Sequence, residues 1–470
     1  MFPWQQYANS SSLKANIALL DEHGNIFTWR QIADSVNQFA RLLTIQGVQS
    51  GSGVALYGKN SVEFVFIYLA AIQIGARVLG INPAFSIEKM QQICQNYQVG
   101  FYFSPEINET FPNLTALSLS IRLEKTKVSN TQNENEEVVD FLRPATMTLT
   151  SGSTGLPKAV VHNIRAHLDN AQGVCKLMRF EPDCSWLLSL PLYHVSGQGI
   201  VWRWLYSKAA LHLPREDFYQ SVLQATHASL VPTQLQRLLS YLAEESKIKR
   251  ITKHILLGGT QIPVELTQKL KEYGIQSYSG YGMTEMASTV FAKRSDHSDG
   301  VGTPLEGREY CLQNEEIWLR GAGLAMGYWQ DGKILSLLNS QGWFSTKDLG
   351  KWIDNELFIV GRLDNQFISG GENIQPEEIE NVISRSGLVK QIFVLPIEDT
   401  EFGQRPVALV EFIEQFSQRA VENLRVFLQS RIERFKQPIA YYPLPQNVHK
   451  GAIKISRNRL KDWLANQPKR

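Results

Sequence analysis

Short apolar runs alternate with longer helix-patterned runs, and this alternation limits the fold more than any other feature of the chain. Residues 54–57 read as a strand, 61–74 as a helix capped by Ser61, 77–80 as a strand, 87–97 as a helix and 99–103 as a strand. The pattern resumes over 186–190, 198–206, 211–213, 218–226 and 254–257. Strands separated by helices pair in parallel through right-handed crossovers, so an α/β architecture with parallel-rich sheets is expected. At 470 residues the chain is too long for one core, and two or more domains follow.

The texture changes near residue 301. Residues 316–320 and 357–360 read as strands, with 353–356 as a hairpin turn, and a small β subdomain is expected to close the large domain. A junction at 361–364 precedes a helix at 376–384, strands at 392–395 and 407–412, a helix at 420–434 and a basic terminal helix. The expected division is a large domain over 1–360, a hinge at 361–364 and a small α+β domain over 365–470.

Bulk properties exclude several classes of function. The 47 basic and 45 acidic residues leave a net charge of +2, too little for a nucleic-acid or anionic-membrane field. Cys94, Cys175, Cys184 and Cys311 lack metal or redox spacing and read as thiols of a reducing compartment. The N-terminus does not read as a signal peptide, and the longest apolar run, 64–74, is too short to span a bilayer. A cytoplasmic protein is expected, and self-association is compatible with the sequence.

Thr150-Ser151-Gly152-Ser153-Thr154-Gly155-Leu-Pro-Lys158 directly follows an apolar run. Glycines let a backbone approach a ligand closely, and hydroxyls, exposed N–H groups and an ammonium are donors for phosphate. The Gly-Lys-Ser/Thr ending of a Walker loop is missing. On composition alone, a plain loop is as good a reading.

The order of residues in that run resembles the phosphate loop of the adenylate-forming superfamily of acyl-CoA synthetases, luciferases and peptide-synthetase adenylation domains. Further segments match it in order from about residue 20 to about residue 465. Gly258-Gly259-Thr260 resembles the wall of the adenine and acyl pockets. Tyr281-Gly282-Met-Thr284-Glu285 resembles the motif in which the tyrosine faces adenine, the threonine meets the α-phosphate and the glutamate binds magnesium. Asp348 matches the ribose-binding aspartate, with Lys347 where most relatives carry glycine. Arg362 matches a residue that reaches ribose or phosphate, and Asp364 the residue whose backbone rotates between two lid positions. Gly370-Gly371 resembles the loop beside pantetheine, with a plain β-turn as the alternative. Lys454, in step with Ile455, Arg457 and Leu460, matches the mobile domain's catalytic lysine; Ile453 replaces the usual preceding glycine, and Lys450 is the competing candidate.

The resemblance therefore implies ATP and Mg2+ as requirements, coenzyme A as co-substrate and acyl-adenylate chemistry. On the same resemblance, residues 190–205 are the segment expected to distinguish the acid. His194 sits where the superfamily places an aromatic gate, and Ser196 opens the next helix. Arg203 stands between Trp202 and Trp204; it either snorkels to solvent or holds a second carboxylate of the substrate. The segment resembles the branch that activates o-succinylbenzoate, an aromatic keto-diacid, for menaquinone biosynthesis. Another aryl- or medium-chain acyl-CoA ligase, a carrier-loading adenylation domain and a nucleotide-binding module are the alternatives.

Overall fold

The computed structural model describes residues 1–107, 109–119, 139–150, 156–244, 249–445 and 455–467. The chain divides into two compact units, residues 1–309 with 320–343, and residues 310–319 with 344–470.

The first unit is built on an eight-stranded and a nine-stranded sheet. In the eight-stranded sheet, Gly53–Tyr57 pairs in parallel with Arg77–Ile81, which pairs in parallel with Pro144–Thr150. The crossover helix Val62–Ile74 has Ser61 as its cap, whose hydroxyl accepts from the Phe64 N–H at 3.3 Å, and Gly75 in the left-handed conformation at its end (φ 96°). Ten of the eleven residues from Val62 to Ile72, all but Glu63, are buried, as expected of a helix that is apolar on every side. Trp4, Trp29, Trp186, Trp202 and Trp204 are buried in the same continuous core.

The strand expected over 186–190 is only Ser185–Leu187. Asn60 is the reason. Its amide donates to Leu190 O at 2.9 Å and to Leu188 O at 3.4 Å, and its oxygen accepts from Leu192 N at 2.9 Å. One side chain thus takes up backbone groups that a longer strand would have used.

The second unit has a four-stranded sheet and a five-stranded sheet. The turn at 353–356 has Asp354 at φ 48° and Asn355 at φ 65°, two positive values in succession as a type I′ hairpin requires. The helix Pro376–Ser384 starts with proline, followed by Glu377 and Glu378 at its positive end. The helix expected over 420–434 is instead Gln418–Gln429. Ser417 caps it early by accepting from Ala420 N at 3.2 Å, and Arg431 satisfies the Phe427 carbonyl at 2.8 Å near its end. All four cysteines are free; Cys94 and Cys175 are buried, while Cys184 and Cys311 are only partly so.

Candidate active site

Thr150 ends its strand opposite Lys158, the first residue of the antiparallel strand Lys158–Asn163. Ser151, Gly152, Ser153, Thr154 and Gly155 lie outside the described residues. The far side of the loop is anchored by the Tyr97 hydroxyl, which donates to Pro157 O. The Lys158 ammonium lies 4.9 Å from the centroid of the Tyr328 ring. The Tyr328 hydroxyl donates to Glu285 Oε1 at 2.8 Å. The expected phosphate lysine and the expected metal carboxylate thus meet through a tyrosine that the sequence reading missed. An aromatic residue after a glycine in a short strand is too common a pattern to flag one.

Gly258, Gly259 and Thr260 follow the strand His254–Leu257, and Tyr281 and Gly282 lie near the end of its parallel neighbour Gln276–Met283. Carboxyl ends of adjacent parallel strands are where an open α/β sheet binds ligands. Gly259 has φ 89°, and a Cβ on Gly282 would stand 2.1 Å from Ser288 O, so both positions demand glycine. Tyr281 packs beside Phe291 at 6.2 Å. Thr284 and Glu285 form the tight turn Thr284–Met286, followed by Ala287 at φ 55° and Ser288 at φ 128°. Asn170 holds this strained turn from behind, donating to Met286 O at 2.8 Å and Thr289 O at 2.9 Å.

Among the described residues there is no cluster of three or more His, Cys, Asp or Glu side chains able to cage a metal. A single carboxylate, Glu285, just beyond the strand Gln276–Met283 instead suits Mg2+, which prefers few protein ligands together with phosphate oxygens and water.

His194 precedes the helix Val195–Ser207 as its N-cap, and Ser196 lies in the first turn. The first turn of the helix packs against the preceding loop because Gly197 has no side chain; a Cβ there would be 2.1 Å from Pro191 O. Gln198 ties the helix to the strand Pro144–Thr150, its amide donating to Thr148 Oγ1 at 3.0 Å. Burial pushes His194 down to about 4, so its ring is neutral at neutral pH and is not a counter-ion. Arg203 does not snorkel: it is 1% exposed. Its guanidinium lies 5.0 Å from the Trp186 ring and donates to Ser288 Oγ at 3.2 Å and Thr289 Oγ1 at 3.4 Å. Its Nε has no hydrogen-bond partner among the described residues. Burial pushes its pKa down to about 10, which still leaves the group charged at neutral pH.

In the second unit, Asp348 pairs in register with Arg362 across two antiparallel strands. Arg362 Nη1 donates to Asp348 Oδ1 at 2.8 Å, while its Nε and Nη2 hold Asp364 at 3.0 and 3.2 Å. Lys347 adopts φ 64°, the left-handed backbone for which glycine is the easier residue. A Cβ on Gly361 would lie 2.3 Å from Gln375 Nε2, so a larger residue there would have to displace the Gln375 side chain. Gly370 and Gly371, at φ 58° and 87°, make the hairpin turn between Phe367–Ser369 and Glu372–Ile374.

Lys450 and Lys454 lie outside the described residues, but the residues after them are well anchored. Ile455 and Leu460 are buried, and Arg457 donates to Glu380 Oε1 at 2.7 Å and Val394 O at 2.9 Å. Arg457 also pairs with Glu377 at 3.4 Å. The carboxylate of Glu377 accepts in turn from Asn365 and Gln375, and Gln375 donates to Arg362 O at 3.1 Å. One polar chain therefore runs from the lysine-bearing tail to residues 362–365. Glu377 and Glu380 were not singled out from sequence, because their contacts with Arg457, Asn365 and Gln375 leave no record in a local run.

Burial also holds His162, His212 and His227 down to about 4. A histidine kept neutral on folding takes up its proton only in the unfolded chain. Its stabilising effect is therefore complete above pH 6.5 and is lost as the pH falls toward 4, by up to about 1.4 kcal/mol per pH unit for each such group. With His194, four histidines add up, and the melting temperature is expected to fall steeply from pH 6.5 to 5. A pH scan of thermal unfolding checks this; a flat melting temperature over that range would refute it.

The sequence model of the AMP-binding enzyme family matches residues 6–329, more than half of the chain. The chain belongs to the AMP-binding enzyme family. Its relatives within that family include the 2-succinylbenzoate–CoA ligase of Haemophilus influenzae, 60% identical over 465 residues and covering 99% of both chains. The 2-succinylbenzoate–CoA ligase of Escherichia coli is 44% identical, again with 99% of each chain covered. An Arg-to-Lys variant of E. coli MenE with bound OSB-AMS is similar in structure, with a TM-score of 0.86, 42% identity and 98% of both chains covered. The parallel-rich α/β architecture of the AMP-binding enzymes is thus the one expected from the alternation of apolar runs. Among the described residues, no helix is long and apolar enough to cross a membrane.

Proposed function

We propose that this AMP-binding enzyme is an ATP-dependent acid–thiol ligase that activates o-succinylbenzoate as an acyl-adenylate and transfers the acyl group to coenzyme A, in menaquinone biosynthesis. The observation that carries this reading is the near-full-length likeness to the H. influenzae ligase. The enclosed, still charged Arg203, in the second half of the helix Val195–Ser207 and bound to Ser288 and Thr289, supports it.

A carboxylate is a poor electrophile, and it must approach an α-phosphate that is already negative. The first requirement is therefore neutralisation of charge, and the second is in-line positioning with water excluded. Thr150, Ser151, Gly152, Ser153, Thr154 and Gly155 would wrap the triphosphate, and Lys158 would take its β- and γ-phosphates. Thr284 would donate to the α-phosphate, and Lys454 would bridge the α-phosphate and the attacking carboxylate. Mg2+, held by Glu285 together with phosphate oxygens, would withdraw negative charge from the leaving pyrophosphate. Gly259, Thr260, Tyr281 and Gly282 would line the adenine site, and Asp348 and Arg362 the ribose. Gly258, His194 and Ser196 would flank the acyl group, and Arg203 would hold the carboxylate that is not activated. Residues 1–360 would form the adenylation domain and 365–470 the lid, turning at Asp364 to bring Gly370 and Gly371 to the pantetheine. A cytoplasmic location fits substrates of this kind.

A pyrophosphate-release screen over carboxylic acids, with and without coenzyme A, tests the reading. Release with o-succinylbenzoate and thioester formation only with coenzyme A are expected. Preference for a monocarboxylic acid would sink it. Arg203→Ala is expected to lower kcat/KM for o-succinylbenzoate by more than roughly tenfold, the scale of one lost charged contact. The same variant should affect an analogue lacking the ring carboxylate much less; equal losses would remove Arg203 from the acid site.

A further inference from the structure

Lys158 and Glu285 carry opposite charges, and one tyrosine stands between them. The ammonium lies 4.9 Å from the Tyr328 ring centroid, and the hydroxyl of the same residue donates to Glu285 Oε1 at 2.8 Å. Left alone, an ammonium and a carboxylate in one site attract each other and form a direct pair. Such a pair would cancel the two charges that a metal–triphosphate has to meet.

Tyr328 is fixed from both sides. It pairs in register with Val160, two residues beyond Lys158, on the strand that Lys158 begins. Gly327 next to it packs so closely that a Cβ would be 2.1 Å from Leu335 O. The segment also grips Glu285 twice: Ala325 N donates to the Glu285 carbonyl at 2.8 Å, and Tyr328 donates to the carboxylate. A bond to backbone and a bond to side chain, three residues apart, set both the place and the orientation of that carboxylate.

We propose that Tyr328 is a positioning residue for the metal–triphosphate: its hydroxyl occupies Oε1 of Glu285 and leaves Oε2 for a divalent cation, while its ring supports the Lys158 ammonium. This deepens the proposed function and rests on it. Tyr328 touches neither metal nor nucleotide in this role; it acts through Glu285 and Lys158. The neighbours that orient a metal ligand commonly tune metal affinity by 10–100-fold.

Tyr328→Phe keeps the ring and loses the hydroxyl. The Mg2+ concentration for half-maximal pyrophosphate release is expected to rise on the order of tenfold. Calorimetry of ATP binding gives a readout independent of turnover. The gain in ATP affinity on adding Mg2+ should shrink by a similar factor, while the affinity in EDTA holds. Tyr328→Leu removes the ring as well, so its affinity for ATP in EDTA should fall too. In a Glu285→Gln background, Tyr328→Phe should add nothing to the Mg2+ requirement. A Phe variant with unaltered Mg2+ dependence would overturn the proposal, as would equal weakening with and without metal. Acid-dependent pyrophosphate release by the unaltered enzyme tests the proposed function separately; if it fails, the metal-dependent part of ATP binding still judges Tyr328.

Discussion

Lys454→Ala is expected to slow acyl-adenylate formation by at least a hundredfold. The expectation follows from charge. As the carboxylate attacks the α-phosphate, negative charge concentrates between two anions, and one preorganised cation there contributes about 3–4 kcal/mol to the transition state. Thiol attack on a preformed adenylate brings no second anion up to the α-phosphate, so thioester formation from supplied adenylate should be nearly spared. Single-turnover measurement of each half-reaction checks the pair of expectations. Normal adenylation in the variant would reject Lys454, and the same loss in Lys450→Ala instead would transfer the role to that residue. The anchoring of the following segment makes the substitution clean: Ile455 and Leu460 are buried and Arg457 is bound to Glu380, so removal of one ammonium should not unseat the tail.

Asp364→Pro is expected to leave adenylation largely intact and to abolish thioester formation. Proline fixes φ near −65° and restricts the residue before it, so a backbone that must rotate at this position is locked in one state. Asp364 lies in the short turn Leu363–Asn365, held through its carboxylate by Arg362. Asp364→Ala separates the two contributions, since it removes the ion pair but leaves rotation free; it should harm thioester formation far less than proline does. Equal loss of both half-reactions in the proline variant would argue against a hinge. The chain from Arg457 through Glu377 to Asn365 and Gln375 gives the junction a link to the lysine-bearing tail.

Much of the site was legible in the sequence because each part is a local run whose residue types have one efficient use. Gly282 is an example: the backbone passes so near Ser288 O that no side chain fits, and a glycine in the sequence records that contact. The same holds for the hairpin at 354–355, whose Asp-Asn pair tolerates positive φ. Strand 186–190 was read too long because the group that ended it, the Asn60 amide, is more than a hundred residues away in the chain. Arg203 illustrates the limit from the other side. Its two readings, snorkelling or enclosed, differ only in burial, and no periodicity on a helix flanked by tryptophans distinguishes them.

The sequence by itself determined the alternation that makes the sheets, the glycines where backbones nearly touch, and the order of the segments proposed to hold phosphate, magnesium and ribose and to carry the lysine. Tertiary structure alone decided that Arg203 is enclosed, that Asn170 braces the turn after Glu285, and that Tyr328 joins Glu285 to Lys158. The physical reason is distance along the chain. Backbone geometry and residue type act between neighbours and leave a local record, whereas desolvation and side-chain hydrogen bonds depend on which remote segments the fold brings within a few ångströms.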